Sequence, residues 1–446
     1  MIKLSDEQLN ALNKIKAFIK SDDFAISLCG AGGSGKSLLI SYIIDYLEDS
    51  NIKYCLCAPT HKAKTVIEYY TKRNAITLHK LLALSPKLDI FDLDFNDLQF
   101  KSGSTKEIPK NGIVICDESS MINDDLFDIL KEKCQIFDSK ILFVSDSKQL
   151  APVKSENLSK VYTLKNQITL TKIFRQSKNN AILSTLETLR EHEINYFDTC
   201  IGEDGSLFTE ENFKEFFNKC KDGIYKSIKN EDIFEAKVTA YTNARINKYN
   251  EFLTNIIFGN KTEYNKLEIL MGNENIEFNG INYYNSMDYI IKNVKEIDIN
   301  IPYFQKLFGY KLELYDKGSN ETREIKIISN KLDEDNYISL SYLIESLRIE
   351  ALEAKTNYRK SLAWKKYFKV INSFVSPRDL IFDNRVIRSK SFVRGYAVTV
   401  HKLQGSTLNN IYIDMKDINK CKDNETKRQL QYVSLSRARH NVYIYQ

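Results

Sequence analysis

The sequence predicts an α/β fold in which parallel strands alternate with helices, and two observations support this prediction. The first is a glycine-rich phosphate-binding pattern at residues 30–37, between an apolar run at 24–29 and apolar residues at helical spacing from residue 38. The second is a series of further short apolar runs that each end in polar residues, as buried parallel strands do when a sheet places ligands at its edge. These runs lie at 54–58, 113–116, 140–145, 236–240, 395–399 and 411–414.

The glycine-rich stretch fits the pattern G-x-x-x-x-G-K-[ST] at every fixed position. Its backbone N–H groups can surround phosphate oxygens, and the N-terminus of the following helix adds positive partial charge. Lys36 can reach the β- and γ-phosphates, and the Ser37 hydroxyl can bind Mg²⁺. A chance glycine-rich turn is the alternative. The pattern predicts binding of ATP or GTP by Gly32, Gly33, Ser34, Gly35, Lys36 and Ser37.

Composition indicates a soluble globular protein. The 446 residues are 43% hydrophobic and 28% charged, and no apolar run approaches the roughly 20 residues of a membrane span. Eight scattered cysteines without a C-x-x-C pair favour reduced thiols in the cytoplasm over a zinc site. Residues 376–446 hold thirteen Lys or Arg against six Asp or Glu, so a surplus of seven charges lies there while the whole chain carries +5. Such a basic region fits a polyanion, although a solvated basic face is the alternative.

Two strand ends carry groups suited to nucleotide hydrolysis. Asp117 and Glu118 follow the run at 113–116, so one carboxylate can hold Mg²⁺ and its neighbour can polarise the attacking water. Gln149 follows the run at 140–145 and could sense the γ-phosphate. Arg175 is a candidate arginine finger, although a lone arginine is more often a surface residue.

Other strand ends carry hydroxyl, imidazole and ammonium groups, which suit phosphate contact and base stacking. We interpret these positions as nucleic-acid contacts, although ordinary capping of strand ends would give the same pattern. The candidates are Pro59, Thr60, His61, Lys62, Thr77, His79, Thr242, Asn243, Thr399, His401 and Lys402. Gln8 precedes the phosphate-binding pattern by one short helix, and its amide matches one edge of adenine.

Two segments interrupt the alternating pattern. Residues 85–111 read as an inserted β-hairpin rich in aromatic side chains. Residues 266–394 read as a β-rich module with a hairpin turn at Asn279-Gly280 and a helical arm around 341–374, where Trp364 lies. The stretch 179–232 is predicted to be mostly amphipathic helix.

The ordered set of motifs resembles the superfamily 1 helicases, most closely the RecD/Dda-like branch that includes phage helicases. Gln8 is similar to the adenine-reading Q motif, residues 30–37 to Walker A, and Asp117-Glu118 to Walker B. Residues 145–150 resemble the coupling motif, except that Ser145 stands where the family usually has glycine. The last two motifs are matched by 399–407, which includes Gln404 and Gly405, and by 432–439, which places Arg437 as the second arginine finger beside Arg175.

The resemblance implies two RecA-like parallel-sheet domains of the P-loop NTPase type, with ATP bound between them and single-stranded DNA bound by both. The implied domains are 1–84 and 112–178 for the first, 179–265 and 395–446 for the second, with the inserted pin at 85–111 and the inserted module at 266–394.

It also implies an ATP-dependent DNA helicase that uses Mg²⁺, moves 5′-to-3′ and acts at junctions of single- and double-stranded DNA. A single-strand-binding protein or other replication proteins are the expected partners. We expect a monomer in the cytoplasm, the host's if a phage encodes it. Three alternatives stay open: a translocase that strips proteins from single strands, an RNA track, and a nucleotide-switched binding module.

Overall fold

The computed structural model describes residues 3–86, 100–102, 107–146, 159–172, 180–259 and 262–446. The chain divides into two compact units. The first, here called the motor unit, comprises Met1–Asn218, Val238–Arg245 and Val398–Gln446, and the second, the accessory unit, comprises Lys219–Lys237 and Ile246–Ala397. The finer domain boundaries stay a prediction.

Helices and strands alternate along most of the described chain. The helices are α1 Asp6–Lys20, α2 Lys36–Asp49, α3 His61–Thr71, α4 Leu78–Leu81, α5 Asp124–Ile136, α6 Ile182–Leu189, α7 Phe213–Lys229, α8 Asn243–Phe258, α9 Glu334–Glu353, α10 Asn357–Ile371, α11 Val400–Leu403, α12 Met415–Ile418 and α13 Asn424–Ser436, with 3₁₀ turns at Ser119–Met121 and Lys160–Thr163. The strands are β1 Ala25–Gly30, β2 Tyr54–Ala58, β3 Ile76–Thr77, β4 Leu84–Pro86, β5 Phe100–Ser102, β6 Ile113–Cys116, β7 Lys140–Ser145, β8 Gln167–Leu170, β9 Leu207–Glu210, β10 Ala236–Ala240, β11 Ile269–Gly272, β12 Ile276–Phe278, β13 Ile281–Tyr283, β14 Asp288–Asn300, β15 Lys306–Asp316, β16 Glu321–Ile328, β17 Leu380–Phe382, β18 Arg385–Arg388, β19 Phe392–Arg394, β20 Ala397–Thr399, β21 Leu408–Asp414 and β22 Ala438–Tyr445.

The first sheet of the motor unit has the strand order β3-β2-β6-β7-β1-β8, and the neighbouring strands run parallel. Successive side chains point to opposite faces, so Leu142 packs among residues of α1 and α2 while Phe143 packs against α4 and α5. Helices therefore cover both faces, and the predicted α/β class is confirmed. Because β7 lies between β6 and β1, the residues after these three strands emerge side by side at the carboxyl edge.

The second sheet has the order β20-β10-β21-β22-β9, and β21, β22 and β9 run parallel. Stacked rings of Phe208, Tyr443 and Tyr412 connect its strands, with centroids 5.1 and 4.7 Å apart. The prediction of helix through residues 179–232 was wrong for β9, which pairs with β22 at the edge of the sheet. An edge strand of four residues has too short a pattern to show alternation in the sequence.

The accessory unit contains an antiparallel sheet of order β16-β15-β14-β11-β19 and the helices α9 and α10, which cover part of it. The turn at Asn279-Gly280 joins β12 to β13, and both residues have positive φ, as a tight hairpin requires. The predicted helical arm begins earlier than residue 341, at Glu334. Of the predicted hairpin at 85–111, the described backbone shows β4 paired antiparallel with β5, and residues 87–99 and 103–106 lie outside the described residues.

The eight cysteines are free thiols. Within the described ranges, no three His, Cys, Asp or Glu side chains lie close enough together to hold a metal ion. No helix in these ranges is long and apolar enough to cross a bilayer.

Candidate nucleotide and nucleic-acid site

The glycine-rich loop connects β1 to α2 at the carboxyl edge of the first sheet. Gly35 precedes α2 with a φ of 81°, a left-handed conformation that glycine adopts without steric cost. The Lys36 ammonium donates to the carbonyl oxygens of Gly30 at 2.7 Å and Ala31 at 3.1 Å. The predicted phosphate-binding lysine therefore lies within its own loop, at the start of a helix whose N-terminus favours anions.

Gln8 is buried against this loop. Its side-chain Nε2 donates to the Ser34 carbonyl at 3.1 Å, and its Oε1 accepts from the Ser5 backbone N–H at 3.0 Å in a capping box at the start of α1. Sequence reasoning missed this tie between α1 and the loop. The predicted contact of Gln8 with adenine stays a prediction. The same amide would have to contact adenine while its Nε2 donates to the Ser34 carbonyl of the loop. The Ser34 hydroxyl is buried and has no partner among the described residues.

Asp117 and Glu118 follow β6 at the same edge. Asp117 is buried, and burial followed by the negative charge of Glu118 raises its pKa to about 7, while Lys36 acts in the opposite direction. Glu118 has a φ of 50°, which is strained for a residue with a side chain. Its Oε2 is buried and has no partner within the described part of the chain.

These two carboxylates fit a divalent cation. A cation beside them would offset the repulsion between the two carboxylates, which helps to raise the pKa of Asp117. It would also pair with the negative charge of Glu118. Ser37 lies in the first turn of α2, one residue after the lysine whose charge acts on Asp117. Oxygen donors of this kind are those that Mg²⁺ prefers.

Asp146 follows β7 and contacts both the glycine-rich loop and α13, a helix that packs on the second sheet. Its Oδ2 accepts from the Gly32 backbone N–H at 2.8 Å and from the Tyr432 hydroxyl at 3.3 Å. The preceding Ser145 is fully buried, and its hydroxyl shares a hydrogen bond with the Cys29 thiol of β1 at 3.4 Å. The serine that replaces the family's usual glycine is therefore accommodated by a polar contact between adjacent strands.

Arg437 is the C-cap residue immediately after α13 and is buried, with 2% of its surface exposed. Its Nε donates to the Val433 carbonyl and the Ser436 hydroxyl, both at 3.2 Å, while Nη2 has no partner among the described residues. Its charge acts on Tyr432, which contacts Asp146. A buried guanidinium nitrogen without a partner, connected to the glycine-rich loop through Tyr432 and Asp146, fits an anionic ligand such as a phosphate.

Gln404 and Gly405 follow α11. The Gln404 Nε2 is likewise buried without a partner in the described ranges, and Gly405 has a φ of 72°. The Gln404 amide is thus, after the Arg437 guanidinium, a second buried donor that could bind a nucleotide. Gln149 and Arg175, also predicted from the sequence, lie outside the described residues.

Three predicted nucleic-acid threonines occupy the N-cap positions of helices that follow strands. The Thr60 hydroxyl accepts from the Ala63 N–H and begins α3, and Thr77 accepts from the Lys80 N–H and begins α4. Thr399 precedes α11 and makes no side-chain capping bond. The hydroxyls of Thr60 and Thr77 therefore have a local structural role, which is compatible with donating their hydrogens to a phosphate.

Lys62 links two of the predicted motifs. Its ammonium donates to the Lys402 carbonyl at 3.0 Å, which joins the start of α3 to the end of α11. Pro59 immediately precedes the Thr60 cap, where the end of β2 turns into α3. The predicted contacts of the first and the second sheet are thus brought together within the motor unit.

The predicted histidines have lowered pKa values. Burial, and then the charges of Lys64 and His79, lower the pKa of His61 to about 4, and burial lowers the pKa of His79 and His401. At neutral pH these imidazoles are uncharged. They can donate hydrogen bonds or stack on bases, but they add no positive charge to phosphate binding.

Acidification should destabilise the protein through His61. Because folding lowers this pKa, the neutral imidazole contributes to the free energy of unfolding in full above about pH 6.5, and the contribution is lost as the pH falls through about 4. The side chain is partly exposed, so we expect a loss on the order of 1 kcal/mol rather than the ~3 kcal/mol of the full shift. Thermal unfolding at pH 7 and pH 4.5 should show a smaller acid loss for His61→Gln than for the wild type. His440→Gln, at an exposed position of β22, is the matched control, and an equal loss for all three proteins would contradict the prediction.

The remaining candidates are held by other contacts. The Thr242 backbone N–H and hydroxyl both bind the buried Asp417 carboxylate, at 2.7 and 2.9 Å, and Asn243 begins α8 beside it. Trp364 belongs to the accessory unit, where it is half-buried and packs edge-on against Tyr367. Their predicted roles in nucleic-acid binding stay predictions.

Comparison with known proteins agrees with this arrangement. The family described as "AAA domain" matches residues 3–204, and the family described as "UvrD-like helicase C-terminal domain" matches residues 394–445. The chain is 26% identical to the ATP-dependent DNA helicase dda of Enterobacteria phage T4, over 99% of this chain and 98% of that protein. It is 25% identical to the RecBCD enzyme subunit RecD of Buchnera aphidicola, over 99% of this chain and 73% of that protein.

A solved structure shows the same fold. The Pif1 helicase from Candida albicans aligns with a TM-score of 0.52 and 17% identity, over 100% of this chain and 95% of that one. The ordered motifs, the two parallel sheets of the motor unit and these similarities lead to one assignment. Together they support a superfamily 1 helicase of the RecD/Dda type.

Proposed function

We propose that this ATP-dependent DNA helicase moves 5′-to-3′ along single-stranded DNA and unwinds the duplex ahead of it. The observation that carries the proposal is the meeting of three groups within the motor unit. The glycine-rich loop is connected to the Arg437 end of α13 through Asp146 and Tyr432, and the charge of Lys36 in that loop acts on Asp117 after β6. Hydrolysis that changes how the two sheets contact each other could move them along a strand bound by both. The direction is inferred from the family.

For ATP hydrolysis, Lys36 would bind the β- and γ-phosphates, with backbone N–H groups of Gly32, Gly33, Ser34 and Gly35 around them. Ser37 and Asp117 would hold Mg²⁺, which neutralises developing phosphate charge when bound.

The remaining hydrolytic roles fall to groups around the γ-phosphate. Glu118 would accept a proton from the attacking water, and Arg437 would stabilise charge in the transition state. Gln8 would contact adenine, and Gln404 and Gly405 would approach the nucleotide from the second sheet. Gln149 and Arg175 are proposed as γ-phosphate sensor and further arginine finger on the motif match alone.

Single-stranded DNA and forked DNA are the substrates. We propose that the strand is bound at the helix starts after β2, β3 and β20, through Thr60, His61, Thr77, His79, Thr399 and His401. Lys62, Lys402, Pro59, Thr242, Asn243 and Trp364 are further proposed contacts. We also propose that the protein acts as a monomer with partners such as a single-strand-binding protein. Its eight free thiols favour a reducing cytoplasm as its compartment.

Strand displacement on two tailed duplexes tests the proposal. One substrate has a 5′ single-stranded tail and the other a 3′ tail of equal length and sequence composition, with ATP and Mg²⁺ present. We expect unwinding from the 5′ tail alone. Unwinding from the 3′ tail alone would overturn the direction, and DNA-stimulated hydrolysis without unwinding would favour a translocase that displaces proteins. A matched pair of RNA-tailed substrates distinguishes the track, since a DNA-specific enzyme should leave them paired.

A further inference from the structure

One carboxylate oxygen connects the glycine-rich loop to the second sheet. Asp146 Oδ2 accepts hydrogen bonds from the Gly32 N–H at 2.8 Å and from the Tyr432 hydroxyl at 3.3 Å. Both Asp146 and Tyr432 are about 1% exposed, so water does not compete for these bonds. Asp146 follows β7 and Tyr432 lies in the middle of α13, 286 residues further along the chain.

Tyr432 is a fixed donor at this position. Burial and then the Asp146 carboxylate raise its pKa, while the positive charges of Arg190 and Arg437 act in the opposite direction. The phenol therefore keeps its hydrogen at neutral pH. A hydrogen bond from a neutral donor to a buried carboxylate is stronger than one between two neutral groups.

The Asp146 carboxylate binds a group that a phosphate would use. Backbone N–H groups of a glycine-rich loop at a helix N-terminus bind phosphate oxygens, and Gly32 belongs to that loop. A carboxylate and a phosphate cannot both accept the same hydrogen closely, and their negative charges repel each other. Phosphate binding at Gly32 therefore requires Asp146 to release this N–H.

We propose that Tyr432 is a positioning residue that sets the affinity for nucleotide by holding Asp146 against the glycine-rich loop. The inference rests on the proposed function only in that the loop is the nucleotide site. A phosphate that displaces Asp146 also takes away the acceptor of the Tyr432 hydroxyl. Tyr432 lies in α13, the helix that Arg437 caps. Nucleotide binding at the first sheet thereby changes the surroundings of Arg437 beside the second sheet, through Asp146 and Tyr432.

Tyr432→Phe tests the proposal because it removes the hydroxyl and keeps the ring. Equilibrium titration with a fluorescent, non-hydrolysable ATP analogue and Mg²⁺ should show binding about three- to tenfold tighter than in the wild type, since the competing carboxylate has lost one donor. The KM for ATP in DNA-free hydrolysis should fall by a similar factor. Tyr445→Phe is the matched control, because it removes from β22 a hydroxyl that accepts from Lys416 of α12 and contacts neither Asp146 nor the glycine-rich loop in the described residues. Its affinity should equal that of the wild type.

Asp146→Asn completes the test. Removing the negative charge should also tighten nucleotide binding, and adding Tyr432→Phe to it should have little further effect, because Tyr432 acts through the carboxylate. Weaker binding by Tyr432→Phe would make the tyrosine a direct nucleotide ligand and would overturn the proposal. Unchanged binding, or effects of the two substitutions that add in full, would overturn it too. A wild-type protein that binds the analogue no better than Lys36→Ala would overturn the nucleotide site itself, and with it the proposed function.

Discussion

Lys36→Ala should reduce ATP hydrolysis by at least about 10³-fold, to the background of the assay. The ammonium is the one charged group in the glycine-rich loop, and removing a preorganised charge from a water-excluded phosphate site costs on the order of 10²–10³ in rate or more. Its present hydrogen-bond partners are the carbonyls of Gly30, at the end of β1, and of Ala31 in the loop. Steady-state hydrolysis with saturating single-stranded DNA measures the effect.

Binding of single-stranded DNA should survive in the same variant. Lys36 is not among the proposed DNA contacts, so affinity at low salt should stay within about twofold of the wild type, as measured by fluorescence anisotropy of a labelled oligonucleotide. Lys20→Ala, at the exposed end of α1, is the matched control and should keep full hydrolysis. Hydrolysis that persists in Lys36→Ala would refute the assignment of the nucleotide site.

Arg437→Lys should lower the hydrolysis rate at saturating ATP by about 10³-fold while changing nucleotide affinity little. An arginine finger acts on charge that develops in the transition state, and its contribution to the rate is roughly 10³–10⁵. Lysine keeps the positive charge, but it cannot reproduce the planar group whose Nε is fixed by Val433 and Ser436 while Nη2 stays available.

Arg439→Lys provides the comparison for this second prediction. Arg439 is exposed, lies two residues further along the chain in β22 and undergoes the same chemical change. It should hydrolyse ATP at the wild-type rate. Single-turnover hydrolysis of pre-bound ATP separates the rate of reaction from binding. A rate for Arg437→Lys within tenfold of the wild type would show that this guanidinium does not act on the reacting phosphate.

The parts of the fold that follow from local patterns were predictable from the sequence. The loop at 30–37 and the strands that precede Asp117 and Asp146 each depend on neighbouring residues. The hairpin turn at Asn279-Gly280 does as well, since positive φ is a property of residue type. The family resemblance then placed the motifs in order and is confirmed by the similar proteins.

What the sequence could not provide are contacts between residues far apart in the chain. The Asp146–Tyr432 bond, the Lys62–Lys402 bond and the tie of Gln8 to the loop depend on how the sheets and helices pack. No local period encodes such contacts. The lowered histidine pKa values also arise from burial, which the sequence indicates only on average.

The left-handed backbone at Glu118 sets the stability of the fold against the proposed role of this residue in hydrolysis. A side chain at this φ costs on the order of 1–3 kcal/mol, and the carboxylate adds a buried oxygen without a partner among the described residues. Glycine or asparagine would satisfy the backbone better, so under the proposed function selection for hydrolysis is what keeps glutamate there. In descendants released from that selection, this position should drift early toward glycine or asparagine while the surrounding fold persists. The residue at 118 would thus mark which copies of this gene have become inactive binders of nucleotide and DNA.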